Sequence, residues 1–252
     1  MTPTPSTMTQ SDDQSDWSDV YVQKLKWCYQ AMDPSPYPLV FPPDNKFQAA
    51  MSGGRNSNWE RFCKYRGTRY VAARLANYEV AHDKQQTALD ALVKYCSEIR
   101  NKWLGGSGVV LYGSKGTGKD HLMMGVARFA FGQCQWVTWI NGTDLFAKFR
   151  DSFDSNTSED SLVCRYSRCP VLWISDPIPA AGKLTDYQSA VLFSIIDSRY
   201  RENLPTWITV NAANASEFEE RILPQNADRL RDGALAIHCN WPSYRKTAES
   251  LK

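Results

Sequence analysis

The stretch YGSKGTGKDHL, Tyr112 to Leu122, carries the strongest chemical signal in the chain. Gly113, four residues, Gly118 and Lys119 match the phosphate-loop pattern G-x-x-x-x-G-K-[ST] up to its last position. A triphosphate is densely negative. A glycine-rich turn lets several backbone N–H groups face it, and the helix that follows adds its positive end. Gly113, Gly116 and Gly118 supply such a turn, with Ser114, Lys115 and Thr117 between them and His121 just beyond. Lys119 is placed to reach the β- and γ-phosphates. The last position departs: Asp120 stands where the pattern has a hydroxyl for magnesium. A carboxylate can bind Mg2+ directly. It can equally serve as an early-helix acid favoured by the helix dipole.

The flanks agree with the loop. Val109-Val110-Leu111-Tyr112 reads as a strand. Leu122, Met123, Val126, Ala127, Ala130 and Phe131 recur at helical spacing behind it. Upstream, Ala88, Leu89, Leu92, Val93 and Cys96 predict one helix from Gln85 to Trp103. Downstream the alternation goes on. Strands are expected at 135–140, 170–175, 205–211 and 234–239. Helices are expected at 143–153, capped by Thr143 or Asp144, and at 186–203, 216–223 and 226–233. A polar loop, DSNTSED, is expected after Phe153. Strands alternating with helices predict an α/β domain with a mostly parallel central sheet flanked by helices.

The rest of the chain sets limits. At 252 residues there is room for one large α/β domain and an appendage. Residues 1–16 are polar and read as a disordered tail. Residues 17–66, rich in prolines and aromatics, read as a small accessory or partner-binding region; the aromatics are expected to pack on the main domain, which runs over 67–252. The net charge of +2 does not mark a nucleic-acid binder as a whole, although a local basic surface remains open. No apolar run is long enough to cross a membrane, and the N-terminus does not read as a secretory signal. The seven cysteines are scattered without a C-x-x-C pair, as expected of reduced thiols in a cytoplasmic protein.

A phosphate loop needs an acid on a neighbouring strand to hold magnesium. Asp176, closing PVLWIS, fits that place, and Pro177 follows it. Asn211 closes PTWITVN, where a polar tip can position water or simply belong to a turn with Asn214. Arg229, Arg231 and Arg245 are candidate anion ligands or solvated surface residues.

Taken together, YGSKGTGKDHL, NGTDLFAKFRDSF, VLWISDP, SIIDSRYRENLPTWITVN and ADRLRDGALAIHCNWPSYR resemble the AAA+ ATPases of the helicase-loader DnaC type and their relative, the transposition helper IstB. The resemblance covers about residues 67–246 and extends to RYVAARLANYEV, which in that family lies near the adenine. It implies an AAA+ P-loop NTPase fold and ATP with Mg2+ as cofactors. Gly113, Gly118 and Lys119 match its Walker A motif, Asp176 the Walker B aspartate and Asn211 sensor 1. Arg229 matches the arginine finger acting across a subunit interface, and Arg245 matches sensor 2. Asp120 and Asp176 are then the expected metal ligands. A homo-oligomer on single-stranded DNA is implied, with a replicative helicase or a transposase as partner. Lys148 and Arg150, on the helix that relatives bring to DNA, are candidate phosphate contacts; the plainer reading is a solvated helix face. Two departures, Asp120 for the hydroxyl and Pro177 for the glutamate of hydrolysing members, put efficient hydrolysis in doubt.

Overall fold

The computed structural model describes residues 59–132, 136–154, 158–178 and 182–245. The expected tail, residues 17–58 of the accessory region and residues 246–252 lie outside them. Five strands form one parallel sheet: β1 (Val109–Gly113), β2 (Val137–Asn141), β3 (Val171–Ser175), β4 (Thr206–Asn211) and β5 (Leu235–Cys239). Their order is β2-β3-β4-β1-β5. The chain leaves β1 for the far edge and returns strand by strand until β4 lies beside β1. That return aligns Gly113 with Asn211, while β5 on the other side aligns Gly113 with Cys239. Asp176 directly follows Ser175, the partner of Thr209. The polar ends of β1, β3 and β4 therefore meet at the carboxyl edge of the sheet, where open α/β sheets place their ligands.

Strand alternation divides the apolar residues between two cores. Val109, Leu111, Trp173 and Trp207 face one core. That core is closed by helices α1 (Asp83–Ser97), α2 (Ile99–Leu104) and α3 (Lys119–Gly132). Val110, Leu172, Ile174, Ile208 and Val210 face the other. It is closed by α4 (Gly142–Asp151), α5 (Glu159–Arg168), α6 (Asp186–Arg201), α7 (Ala215–Ile222) and α8 (Pro224–Arg231). Parallel strands covered on both faces account for their continuous apolar sequences. The core begins before Gly67: residues 59–66 are helical, and Phe62 and Cys63 are buried against the first core. Phe62 stacks on Trp59 at 5.7 Å, whereas Tyr65 is exposed.

Three local expectations are corrected. The helix foreseen from Gln85 to Trp103 is two helices broken at Glu98, whose backbone leaves the helical region (φ −105°, ψ 14°). The break lets α2 bury Ile99 and turn the Trp103 indole to donate to the Pro170 carbonyl at 3.2 Å. The cap of α4 is Asn141, not Thr143 or Asp144, because Asn141 Oδ1 accepts from the Asp144 N–H at 2.7 Å. Sequence reasoning also missed α5 entirely. Ser158 caps it, and Leu162 and Tyr166, one helical turn apart, are its buried face.

Candidate nucleotide site

The phosphate loop opens at Gly113, whose φ of 153° and close neighbour demand glycine: a Cβ there would lie 2.3 Å from the Cys239 carbonyl oxygen. At Gly116 (φ 84°) a Cβ would meet the Ser243 hydroxyl at 2.0 Å. Both ends of the domain fasten the loop. Tyr78 and Trp241 donate to the Thr117 carbonyl at 3.1 and 2.8 Å, and the Tyr244 N–H donates to the Gly116 carbonyl at 2.9 Å. A Cβ at Gly118 would strike the Tyr78 ring, which meets Tyr244 edge-on at 5.6 Å. Tyr244 also hydrogen-bonds the Glu79 carbonyl and accepts from Gln85 Nε2 at 2.7 Å. The lead-in and the C-terminal segment thus hold each other over the loop.

Inside this frame Lys119 is buried. Its ammonium donates to the carbonyls of Gly113 (3.0 Å) and Ser114 (2.7 Å) and to Asn211 Oδ1 (3.0 Å). Asn211 turns its Nδ2 to Asp176 Oδ1 at 2.7 Å. Burial lowers the Lys119 pKa, while the nearby Asp176 and Asp120 act against that shift. Asp176 takes a left-handed backbone (φ 45°), which aspartate tolerates better than most residues. Its N–H donates to the Thr209 carbonyl at 2.8 Å, so the turn out of β3 aims the carboxylate across the end of β4. One face of Asp176 is open to solvent. Desolvation of the remainder and the like charge of Asp120 nonetheless raise its pKa, against the pull of Lys119 and Asn211.

Lys115, Gly116, Thr117, Gly118, Lys119, Asp120, His121, Asp176, Asn211 and Arg245 line one cavity of about 360 Å³. Gly113 and Ser114 lie beneath it as acceptors for Lys119. His121 Nε2 is 3.0 Å from both the Arg74 carbonyl and Asn77 Oδ1. Sequence reading named neither Arg69 and Tyr78 in the cavity wall nor Thr209, although Tyr78 belongs to the lead-in assigned near the adenine. Arg229 is elsewhere. It sits on α8, paired with Asp197 at 2.8 Å and lying over the Phe193 ring at 4.7 Å. Lys148 and Arg150 are exposed on α4. Arg150 borders a second cavity of about 360 Å³ that shares Lys115, Asp176 and Asn211 with the first.

Asp120 is already engaged. Its Oδ1 accepts from the Thr209 hydroxyl at 3.2 Å, and its Oδ2 lies 2.9 Å from Arg66 Nη2. The Arg66 guanidinium stands among three rings, 4.2 Å from Tyr70, 4.6 Å from Trp139 and 5.1 Å from Trp173. Asp176 fits a magnesium ligand: one carboxylate with an open face beside a phosphate loop. Asp120 has each of its oxygens against a partner, one of them a cation.

No family model matches the chain. The replicative helicase loader DnaC of Escherichia coli K12 is 28% identical over 173 residues, 67% of this chain and 67% of that protein. DnaC of Buchnera aphidicola from Acyrthosiphon pisum is 25% identical over 185 residues, 70% of this chain and 71% of that protein. The crystal structure of the DnaC helicase loader superposes with a TM-score of 0.61 at 20% identity, covering 68% of this chain and 99% of that one. DnaI gives 0.57 at 21%, covering 71% and 94%. The initiator DnaA bound to AMPPCP and single-stranded DNA gives 0.54 at 16%, covering 66% and 49%. The chain is thus similar in sequence to DnaC helicase loaders and shares the fold of DnaC and DnaI.

Proposed function

We propose that the chain is an ATP-dependent helicase loader of DNA replication, acting in the cytoplasm, which assembles on single-stranded DNA and delivers a replicative helicase. The observation that carries this reading is the union of a DnaC-like sequence with a phosphate loop whose Lys119 is connected through Asn211 to Asp176. Lys119 and the loop amides hold the phosphates, and Arg245 closes the cavity wall beside them. Asp176 would hold a magnesium, which would supply charge neutralisation at the phosphates. Asn211 fixes both Lys119 and Asp176 in register with the end of β1.

Arg229 has no place in the cavity of its own subunit, which suits an arginine offered to a neighbouring copy; its link to Asp197 must then open on assembly. Lys148 and Arg150, together on the exposed side of α4, suit sequence-independent contacts to a DNA backbone. A second reading, a nucleotide-gated scaffold with slow hydrolysis, is favoured by Pro177 at the place where hydrolysing relatives carry a glutamate.

Co-elution tests the proposal. The chain should bind the replicative helicase of the same cell on single-stranded DNA with ATP, and Lys119→Ala should not. Association with a transposase and not with the helicase would overturn the loader reading. ATP-dependent assembly with no DNA-stimulated turnover would select the scaffold. Mixing Arg229→Ala with Lys119→Ala should restore some activity if the arginine acts in trans.

A further inference from the structure

The Arg66–Asp120 pair occupies the position where a phosphate loop ordinarily offers a hydroxyl to magnesium. The Arg66 side chain is 8% exposed and Asp120 is 28% exposed. A guanidinium so placed cannot shed its charge, and burying it is costly unless something compensates. The compensation is a carboxylate on one edge and the electron-rich faces of Tyr70, Trp139 and Trp173. The contact to Asp120 is an ion pair and not an aligned hydrogen bond: Nη2 and Nε have no hydrogen-bond acceptor among the described residues. The site is therefore built around a fixed positive charge, not around a directional bond. That charge also reaches Asp176 and acts to lower its pKa.

We propose that Arg66 is a positioning residue that cancels the charge of Asp120, so that no divalent cation is needed to offset that carboxylate and nucleotide binding depends only weakly on magnesium. The inference rests on the nucleotide reading above and goes beyond it. Without Arg66, Asp120 would set a bare carboxylate beside the β- and γ-phosphates, and a divalent cation would be needed to offset the repulsion. With Arg66 in place, Asp120 is neutralised from behind. Lys119, Arg69 and Arg245, all in the cavity wall, then face the phosphates without that opposing charge.

Titration of a fluorescent methylanthraniloyl ATP, in EDTA and in excess magnesium chloride, tests this. The wild-type Kd should differ by less than about fivefold between the two buffers. The variant Arg66→Met leaves the Asp120 carboxylate uncompensated and should bind more than about fivefold tighter with magnesium than without. Arg66→Met/Asp120→Asn removes both charges and should return to the wild-type ratio. A merely structural role for Arg66 would weaken binding alike in both buffers and leave the ratio unmoved. A wild-type ratio above fivefold overturns the proposal, as does Arg66→Met with the wild-type ratio or a double variant that keeps the raised one. Absence of binding by the wild type in both buffers overturns the nucleotide reading itself. Because the wild-type comparison stands alone, a poorly folding variant does not rescue the idea.

Discussion

Lys119 donates to Asn211 Oδ1 at 3.0 Å, and the same amide turns its nitrogen to Asp176 at 2.7 Å. An amide that accepts on one side and donates on the other has one orientation that satisfies both neighbours. Asn211 is thereby fixed by two opposite charges, and it fixes them in turn. The three residues come from the ends of three different segments, so the arrangement is a property of the sheet edge rather than of the loop.

Replacing Lys119 tests the centre of this arrangement. Lys119→Ala removes a buried cation beside an open cavity, into which water can follow, so the fold should survive. What should disappear is stabilisation by ATP, about 2.7 kcal/mol at a hundredfold excess over Kd for a competent site. Thermal melts with and without ATP measure this. An ATP-induced shift that persists in the variant would remove Lys119 from the binding machinery.

Asp176 gives a pH dependence opposite in sign to the usual carboxylate. Its folded pKa is raised, first by burial and then by Asp120, so the ionised form is less favourable in the fold than in the unfolded chain. That penalty is absent below the unfolded pKa and fully present above the folded one. Asp176→Asn keeps an acceptor for Asn211 and should stabilise the protein without ligand at pH 7. The gain should fade as pH falls through the folded pKa and vanish below about pH 4. Urea midpoints of both proteins across this range decide the matter; a difference that is constant with pH refutes the assignment.

Much of this edge was legible in the sequence, for a physical reason. Parallel strands announce themselves as short apolar runs, and a polar residue that ends such a run must lie at the carboxyl edge. Asp176 and Asn211 were found in that way, and the phosphate loop by its glycine and lysine pattern. Arg66 was not, because its neighbours Asp120, Trp139 and Trp173 are gathered only by the sheet, and no local pattern in YRGTRY marks its charge as buried. Helix α5 was hidden by the polar residues on its exposed side, which resemble the loop before it. Asn141 falls between the strand expected at 135–140 and the helix expected at 143–153, and its role as a cap depends on Gly142 starting the helix at once.

Arg199 tests how the sheet is held upstream of the site. It is fully buried and donates to the carbonyls of Tyr166 (3.0 Å), Cys169 (2.7 Å) and Pro205 (2.7 Å) and to the Thr206 hydroxyl (3.0 Å). One side chain thus closes the end of α5 and the starts of β3 and β4. Arg199→Met would strand several buried acceptors at about 1–3 kcal/mol each, and a loss above about 3 kcal/mol is expected. Arg201→Met, two residues on and exposed, should change stability by no more than about 0.5 kcal/mol. Equal losses in denaturant titrations of the two variants would show that Arg199 does not have this role.

Gly142 ties the acid of the site to the helix beside it. It opens α4, and a Cβ there would come within 2.3 Å of Pro177 Cα and 2.6 Å of the Asp176 carbonyl oxygen. These are backbone atoms, which cannot swing aside as a side-chain tip can. Gly142→Ala must therefore push α4 away from the exit of β3 or move Asp176 from its position against Asn211. Overpacking of this kind costs about 1–3 kcal/mol. The strain falls on the left-handed turn at Asp176, so nucleotide affinity should drop alongside stability. Gly105→Ala provides the contrast: its Cβ would meet only ordinary contacts, the nearest at 3.4 Å, far from the cavity. Fluorescence titration with the ATP analogue and a thermal melt on each variant separate the two cases. An unchanged Kd in Gly142→Ala would mean that α4 yields and Asp176 does not.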